Sequence, residues 1–294
     1  MNDDLVTSDP VAFSRDGAVA ILTIDNPPVN ALSAAVRGGL LDGIRRVEAD
    51  PSVAATVIAC AGRTFVAGAD IREFGRPPVD PALSVVLSAI ENAVKPVVAA
   101  IHGTALGGGF ELALACHRRI ALRSARVGLP EIRLGVIPGA GGTQRLPRLV
   151  GCDVALDMIL SGEPVTAAFA HARGALDELG AGGGDLVTAA VDPAYSLAAW
   201  SGELGRTRER VVPGEGEALV RLEFRRAELV ERDPEEVAGL AAIDAMRVGV
   251  AEGFEAGLAA ERTAFLALRD TPRALAKREA FFAARRRPEI RSAP

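Results

Sequence analysis

Residues 101–151 read IHGTALGGGFELALACHRRIALRSARVGLPEIRLGVIPGAGGTQRLPRLVG. Three consecutive glycines, residues 107–109, stand between an apolar run at 96–101 and a second apolar run at 112–116, with Glu111 just after them. A second carboxylate, Glu131, comes later in a stretch rich in proline and glycine. The pattern predicts a strand, a tight turn and a helix, with one acidic side chain in the first helical turn.

The glycine turn has a chemical interpretation and a structural one. Without Cβ atoms, the turn can bring its amide N–H groups against a ligand. Amides at a helix start lack intrahelical partners and lie at the positive end of the helix dipole, so they can stabilise a developing oxyanion. The alternative is a tight packing turn in which the dipole favours Glu111. The turn alone leaves both interpretations open.

Glu131 lies between Pro130 and Ile132, where the chain has too much proline and glycine for regular structure. Taken alone, it can be an exposed surface glutamate. If Glu131 and Glu111 converge in one apolar cleft, burial and mutual repulsion separate their pKa values, so that one serves as an acid and the other as a base.

Composition restricts the class of protein. The chain has 294 residues, of which 49% are hydrophobic and 24% charged, which is ordinary for a globular enzyme. Its net charge of -5 argues against nucleic-acid binding. The acidic start, MNDDLVTSDPVAF, has no signal-peptide pattern, and no apolar run is long enough to span a membrane, so we expect a cytoplasmic protein without a membrane partner.

Strand and helix patterns alternate along the first part of the chain. Residues 11–25 alternate around Asp16 and Gly17 and predict a β-hairpin. Residues 34–48 have helical spacing, and residues 53–59 are typical of a buried strand. Alternation of this kind indicates an α/β fold that binds its ligand at the strand ends.

A second irregular loop, residues 63–75, follows the strand predicted at 53–59. Its residues Gly68 and Ala69 can offer a backbone amide opposite the one near Gly108, and two amides that point at one oxygen form an oxyanion hole. A simple crossover loop is the alternative.

The alternating strand and helix pattern ends near residue 185. We predict a catalytic core at 1–185, a linker or insertion with partial helix at 186–232 and a helical subdomain at 233–294. Asp233 and Pro234 are typical of a helix start, and a long amphipathic helix is predicted from the apolar residues Leu240, Ile243, Met246, Val250, Phe254 and Leu258.

The segment GAGGTQ at 139–144 invites comparison with phosphate-binding loops. It lacks the Lys-Ser/Thr pair of a P-loop and the third glycine of a dinucleotide fingerprint. A helix start at Thr143, or packing beneath the Glu131 loop, is the favoured interpretation.

Three blocks, FVAGADIREF (65–74), IHGTALGGGFELALACHRRIA (101–121) and GLPEIRLGVIPGAGGTQRLPRLVG (128–151), resemble in order and spacing the hallmark blocks of the crotonase family of enoyl-CoA hydratases and isomerases. The resemblance covers roughly residues 10–185 and implies a core of ββα repeats arranged as a spiral. The tail at 261–288 resembles the hydratase part of multifunctional β-oxidation enzymes.

By motif position, the resemblance implies that the amides of Ala69 and Gly108 hold the thioester oxygen of a fatty enoyl-CoA. Glu111 and Glu131 become the two catalytic carboxylates. Retention of both favours hydration over isomerisation of a 3-enoyl-CoA, which needs one base, or over a non-catalytic module that binds acyl-CoA or a protein. Hydration requires neither a metal nor a redox cofactor, because coenzyme A arrives as part of the substrate.

The same resemblance implies which residues contact the CoA part of the substrate, namely Ala31, Ala67, Gly68, Asp70, Ile71 and Arg72. It also implies an assembly, either a homo-oligomer (trimer or hexamer) or an association with a 3-hydroxyacyl-CoA dehydrogenase part or partner.

Overall fold

A computed structural model describes residues 9–73, 75–180 and 185–286. The predictions that concern residues 1–8, Phe74 and 287–294 lie outside these residues. The strands are β1 (Val11–Asp16), β2 (Val19–Ile24), β3 (Ala55–Cys60), β4 (Val97–Ile101), β5 (Thr104–Leu106), β6 (Arg118–Leu122), β7 (Arg126–Gly128), β8 (Val165–Thr166) and β9 (Glu178–Gly180). The helices are α1 (Ala34–Ala49), α2 (Leu83–Glu91), α3 (Gly108–Ala115), α4 (Gly142–Val150), α5 (Cys152–Ser161), α6 (Ala167–Ala172), α7 (Leu186–Ala198), α8 (Glu215–Arg232), α9 (Val237–Ala251), α10 (Phe254–Arg269) and α11 (Pro272–Arg286).

The larger sheet has six strands in the order β1-β2-β3-β4-β6-β9. β1 and β2 form the predicted antiparallel hairpin, and Gly17 takes a positive φ of 55° in its turn. The other neighbours pair in parallel. The α/β class predicted from the sequence is confirmed, and the predicted strands at 53–59 and 96–101 correspond to β3 and β4.

The central parallel strands β3 and β4 are apolar on both faces, apart from Thr56, because each face is covered by helices. Along β3 and β4, alternate side chains point to opposite faces. Val57 and Val98 pack in one cluster with Ala190 and Val191 of α7, whereas Ile58 belongs to the larger core that also contains the buried face of α1. Each large apolar side chain buried in this way contributes about 1.5–3 kcal/mol to the stability of the fold.

A smaller sheet, in the order β5-β7-β8, lies next to the segments that contain Glu111 and Glu131. β5 and β7 run parallel, with Leu106 opposite Gly128 at their carboxyl ends. The amide of Gly107 donates to the carbonyl of Gly128, with an N···O distance of 2.9 Å. Since Glu111 follows β5 and Glu131 follows β7, the pairing of these strands brings the two glutamates to one edge of the sheet.

The C-terminal half is more helical than the sequence predicts. The segment 186–232, interpreted as a linker with partial helix, contains α7 and α8. The helix start predicted at Asp233 and Pro234 is wrong, because Asp233 caps the C-terminus of α8 and the next helix begins at Val237. The single long helix predicted beyond it is two helices, α9 and α10, because the helical conformation is interrupted at Gly253, where φ is 97°.

None of the helices in the described ranges is both long enough and apolar enough to cross a lipid bilayer.

Candidate active site

The turn between β5 and α3 is built on glycine for geometric reasons. Gly107 has a φ of 54° and a ψ of -129°, a region that residues with a Cβ rarely adopt. The amide of Glu111 donates to the carbonyl of Gly107 at 2.9 Å, which closes the first turn of α3. Gly108 is the first residue of α3, so its N–H precedes the intrahelical hydrogen bonds and has no acceptor among the described residues.

The loop that contains Ala69 lies against this turn. The amide of Leu106 donates to the carbonyl of Val66 at 2.9 Å, which ties the loop to β5. A Cβ atom placed on Gly108 would lie 3.7 Å from the amide nitrogen of Ala69. That amide likewise donates to no backbone acceptor in the part of the chain that the structure describes. Two main-chain donors from separate loops are therefore neighbours.

Ala31 and Ala67 belong to adjoining loops, as their assignment to one ligand requires. The amide of Ala67 donates to the carbonyl of Val29 with an N···O distance of 3.1 Å. The amide of Leu32 donates to the carbonyl of Gly68 with an N···O distance of 3.0 Å. These contacts place the segments next to Ala31 and Gly68 side by side.

Asp70 and Arg72 are paired with each other. Arg72 donates through Nε and a terminal nitrogen to the buried Asp70 carboxylate, the shortest distance being 2.7 Å. The Arg72 hydrogen bonds hold the pKa of Asp70 below its usual value. The Arg72 side chain is 70% exposed at the surface. Ile71 starts a short 3-10 turn, and its side chain is outside the described atoms.

Glu111 is buried in α3, and its carboxylate is held by the backbone of a distant loop. Its Oε1 accepts hydrogen bonds from the amides of Ala140 and Gly142, both at 2.8 Å. Burial raises the pKa of Glu111, while these two hydrogen bonds and the charge of Arg145 act in the opposite direction. The carboxylate is thus buried yet provided with donors that favour its ionised form.

Glu131 is in a different electrostatic state. It lies in a 3-10 turn, Pro130–Leu134, directly after β7. Its Oε2 is buried and has no hydrogen-bond partner among the described residues. Burial, and after it the charge of Glu111, raise the pKa of Glu131 well above its usual range. The structure therefore brings the two predicted carboxylates together and gives them unequal surroundings: Glu111 accepts two amide hydrogen bonds from a distant loop, whereas Oε2 of Glu131 has no partner among the described residues.

A third buried carboxylate belongs to this region and was not predicted from the sequence. Glu261 of α10 accepts hydrogen bonds from the amides of Gly141 and Thr143 and from the Thr143 hydroxyl. Burial, and then the charge of Glu111, raise the pKa of Glu261 to about 8. One signal could have revealed it: Glu261 stands on the apolar stripe of its helix, where Phe254, Leu258, Phe265 and Leu268 recur.

The GAGGTQ segment has the role of an amide donor to carboxylates. Its amides at residues 140–143 bind Glu111 and Glu261. Helix α4 begins at Gly142, within one residue of the start predicted at Thr143. The glycines thus serve a loop that solvates two buried acidic side chains.

The fold and these residues define a crotonase-type α/β protein with a helical C-terminal region. The sequence profile described as enoyl-CoA hydratase/isomerase matches residues 14–203. The chain belongs to this enoyl-CoA hydratase/isomerase family.

Individual relatives agree with this assignment. The chain is 37% identical to the peroxisomal bifunctional enzyme of Cavia porcellus over 92% of its own length and 38% of that protein. It is 48% identical to a probable enoyl-CoA hydratase of Bacillus subtilis (strain 168) over 53% of its own length and 63% of the relative. The chain therefore spans less than two thirds of these curated relatives.

A solved structure matches nearly the whole chain. The carnitinyl-CoA hydratase from Mycobacterium avium superposes with a TM-score of 0.70 at 29% identity, covering 98% of this chain and 100% of that one. The crotonase-like fold predicted from the three sequence blocks is confirmed.

Proposed function

We propose that this protein is an enoyl-CoA hydratase that adds water across the 2,3 double bond of a 2-enoyl-CoA to give a 3-hydroxyacyl-CoA in fatty-acid β-oxidation. The observation that carries the proposal is an unequal pair of glutamates, the buried Glu111 and the half-buried Glu131 with its buried, unpartnered Oε2, beside the neighbouring amides of Ala69 and Gly108. The family and the names of the relatives support the same reaction.

The proposed reaction follows the direction of charge movement. When water oxygen bonds to C3, the electron pair of the double bond moves toward the thioester, and negative charge builds on the thioester oxygen. The N–H groups of Ala69 and Gly108 stabilise that oxygen as an enolate. Because these dipoles act mainly on the charge that develops in the transition state, they raise the rate rather than only the affinity.

The two carboxylates take opposite proton-transfer roles. Glu111, whose oxygen accepts two amide hydrogen bonds, is ionised and orients the attacking water and accepts its proton. Glu131, whose raised pKa favours the protonated form, delivers a proton to C2. The water oxygen and one of its hydrogens become the C3 hydroxyl, the other hydrogen passes to Glu111, and the Glu131 proton goes to C2. Transfer of a proton from Glu111 back to Glu131, directly or through solvent after product release, restores the starting protonation of both carboxyl groups.

We place the CoA part against the loops that contain Ala31 and residues 67–72. The exposed Arg72 guanidinium, fixed by Asp70, is suited to meet a phosphate. The reaction calls for no metal and no redox cofactor, since acid-base catalysis and hydrogen bonding supply each step.

The assembly and location are also proposals. A homo-oligomer, trimer or hexamer, and an association with a 3-hydroxyacyl-CoA dehydrogenase part or partner both remain as predicted; the name "bifunctional enzyme" of a relative much longer than this chain favours the second. A cytoplasmic location stays a prediction, and the word "peroxisomal" in that relative's name points to another compartment.

A second candidate reaction is isomerisation of a 3-enoyl-CoA to a 2-enoyl-CoA. The unpartnered oxygen of Glu131 favours it, because one base near C2 and C4 is sufficient for that proton shift. Side-by-side assays with 2-enoyl-CoA and 3-enoyl-CoA thioesters separate the reactions. We expect loss of the enoyl absorbance with crotonyl-CoA or longer 2-enoyl-CoAs; if no 2-enoyl-CoA is hydrated, the hydratase proposal is wrong.

A further inference from the structure

The side chain of Glu261 reaches the active-site loop from the helical C-terminal region. It is 1% exposed and lies on α10, far along the chain from the family's sequence blocks. Its two oxygens accept hydrogen bonds from two residues of one short loop. Oε1 accepts from the Gly141 amide at 2.5 Å, and Oε2 accepts from the Thr143 amide and hydroxyl at 2.8 and 2.6 Å.

The loop divides its donors in strict alternation. The amides of Ala140 and Gly142 point to Glu111, while those of Gly141 and Thr143 point to Glu261. Because the four donors belong to consecutive residues of one backbone, fixing the direction of one set restricts the direction of the other. Glu261 can therefore act on Glu111 through the loop, in addition to the charge repulsion between the two carboxylates.

Side chains at the start of α4 also tie the loop to the backbone of α9. The side-chain amide of Gln144 donates to the Thr143 hydroxyl at 2.9 Å and to the carbonyl of Ala245 at 3.0 Å. Arg148 donates to the carbonyl of Gly249, also at 3.0 Å. The loop is thus clamped between α3 on one side and the C-terminal helices on the other.

A buried carboxylate is an expensive way to hold a loop. A neutral amide side chain such as that of glutamine would place no ionisable group near two other acids, but it has an acceptor at one end only. Burial and the charge of Glu111 oppose ionisation of Glu261, and Glu261 in turn raises the pKa of Glu131. Perturbed ionisable groups of this kind cluster at functional sites.

We propose that Glu261 is a positioning residue for catalysis: by binding the amides of Gly141 and Thr143, it presents the amides of Ala140 and Gly142 to Glu111 and keeps that carboxylate aimed at the attacking water. The inference rests on the proposed function in so far as Glu111 is the group that orients water. It makes the C-terminal helices part of the catalytic apparatus.

The first test is Glu261→Gln, assayed by steady-state kinetics with a 2-enoyl-CoA. Gln preserves the shape but cannot accept at both ends, so we expect kcat to fall by about 10- to 100-fold with KM within about twofold of wild type. Glu228→Gln, an exposed carboxylate on α8 paired with Arg225, is the control and keeps wild-type kcat. A Glu261→Gln enzyme with wild-type kcat overturns the proposal.

A second pair of variants covers the case in which Glu261→Gln does not fold. Thr143→Val removes one hydroxyl donor at constant shape, and Thr143→Ser keeps the hydroxyl. We expect kcat of the valine variant to fall by about three- to tenfold, with recovery in the serine variant. Equal kcat values for valine and serine variants contradict the proposal.

A third measurement is independent of activity. In ligand-free protein labelled with 13C at the glutamate carboxyls, NMR titration follows each buried carboxyl. Glu261→Gln should remove one titration near pH 8 and lower the apparent pKa of Glu131, because one source of repulsion is lost. Unchanged titration of the other buried carboxyls contradicts the proposal. If the titrations change as expected but wild-type protein and Glu111→Gln hydrate equally poorly, the hydratase assignment fails and the coupling of Glu261 to the loop stands.

Discussion

A Cβ atom placed on Gly107 would lie 2.9 Å from Oε1 of Glu131, so the backbone of the turn packs directly against the acidic side chain. The same glycine accepts the amide hydrogen bond of Glu111 through its carbonyl. Gly107 is therefore the point at which the two carboxylates are held relative to each other, and through α3 it also sets the position of the Gly108 amide.

Gly107→Ala should displace Glu131 and strain a turn whose φ is 54°. We expect kcat to fall by about 10- to 100-fold, since a displacement near 1 Å has an effect of that size in an active site. Gly214→Ala is the matched control: its φ is 73°, but a Cβ there meets nothing within 4 Å. The control should lose about 1–2 kcal/mol of stability from backbone strain and retain kcat. Similar kcat values for the two variants would argue against the packing role of Gly107.

Glu131→Gln removes the proton donor at constant shape. Turnover of 2-enoyl-CoA should fall by orders of magnitude, while the Kd for a saturated acyl-CoA, measured by calorimetry, should stay near the wild-type value. Glu111→Gln should lower turnover as well, because the amide cannot take a proton from water. A Glu131→Gln enzyme with unchanged turnover would remove the proposed mechanism.

The pH dependence of kcat should be bell-shaped. Glu111 must be ionised, so activity is lost as pH falls through its raised pKa. Glu131 must be protonated, so activity is lost as pH rises through its own pKa, which lies well above the usual range. Because the carboxyls interact, the two apparent values belong to the group as a whole. In Glu131→Gln the residual activity should keep the acidic limb and lose the basic limb; persistence of the same basic limb would assign it to another group.

Glu131 should also make the protein less stable as pH rises. Its pKa in the folded protein is raised above the ordinary 4.5, so the unfolded chain releases this proton first and folding must take it up. Glu131→Gln should therefore have the higher free energy of unfolding, by a gap that grows by up to about 1.4 kcal/mol per pH unit between the unfolded and the folded pKa of Glu131 and stays constant above the folded pKa. Urea titrations over a pH series measure the gap. A gap that shrinks with rising pH would contradict the raised pKa.

Arg145→Met tests the buried ion pair behind the loop. Arg145 donates to Glu91 at 2.7 Å, and both side chains are nearly inaccessible, at 3% and 1%. Removal of one partner leaves an uncompensated buried charge, which should cost about 3–5 kcal/mol of stability. Arg221→Met is the control, since that side chain is 55% exposed and its pairing with Asp153 contributes at most about 1 kcal/mol. Equal losses in chemical denaturation would contradict the account.

The sequence was sufficient to predict the parts of the site that are local. The roles of Gly107, Gly108 and Glu111 could be predicted because a tight turn and a helix start need those residue types. That Glu131 meets Glu111 depends on the pairing of β5 with β7, which spacing cannot establish. The roles of Ala69, Gly108 and the CoA contacts stay predictions until a ligand is bound.

Three other features were not predicted, because each depends on how distant or neighbouring elements pack. Glu261 joins the loop across a contact remote in sequence, and its only local sign is a charged residue on an apolar helix stripe. Helix α9 ends at Ala251 and Gly253 caps the start of α10, although the apolar spacing runs through this junction without interruption. Asp233 has the residue type of an N-cap, yet the preceding helix extends to Arg232 and uses it as the C-cap.

A crystal structure of Glu131→Gln with a 2-enoyl-CoA bound would show whether the two amides and the two acidic positions meet one thioester. We expect the thioester oxygen at about 2.7–3.1 Å from the amide nitrogens of both Ala69 and Gly108, with residues 111 and 131 facing C3 and C2. A thioester oxygen bound away from either amide, or an acyl chain with residues 111 and 131 remote from C2 and C3, would contradict the proposed mechanism.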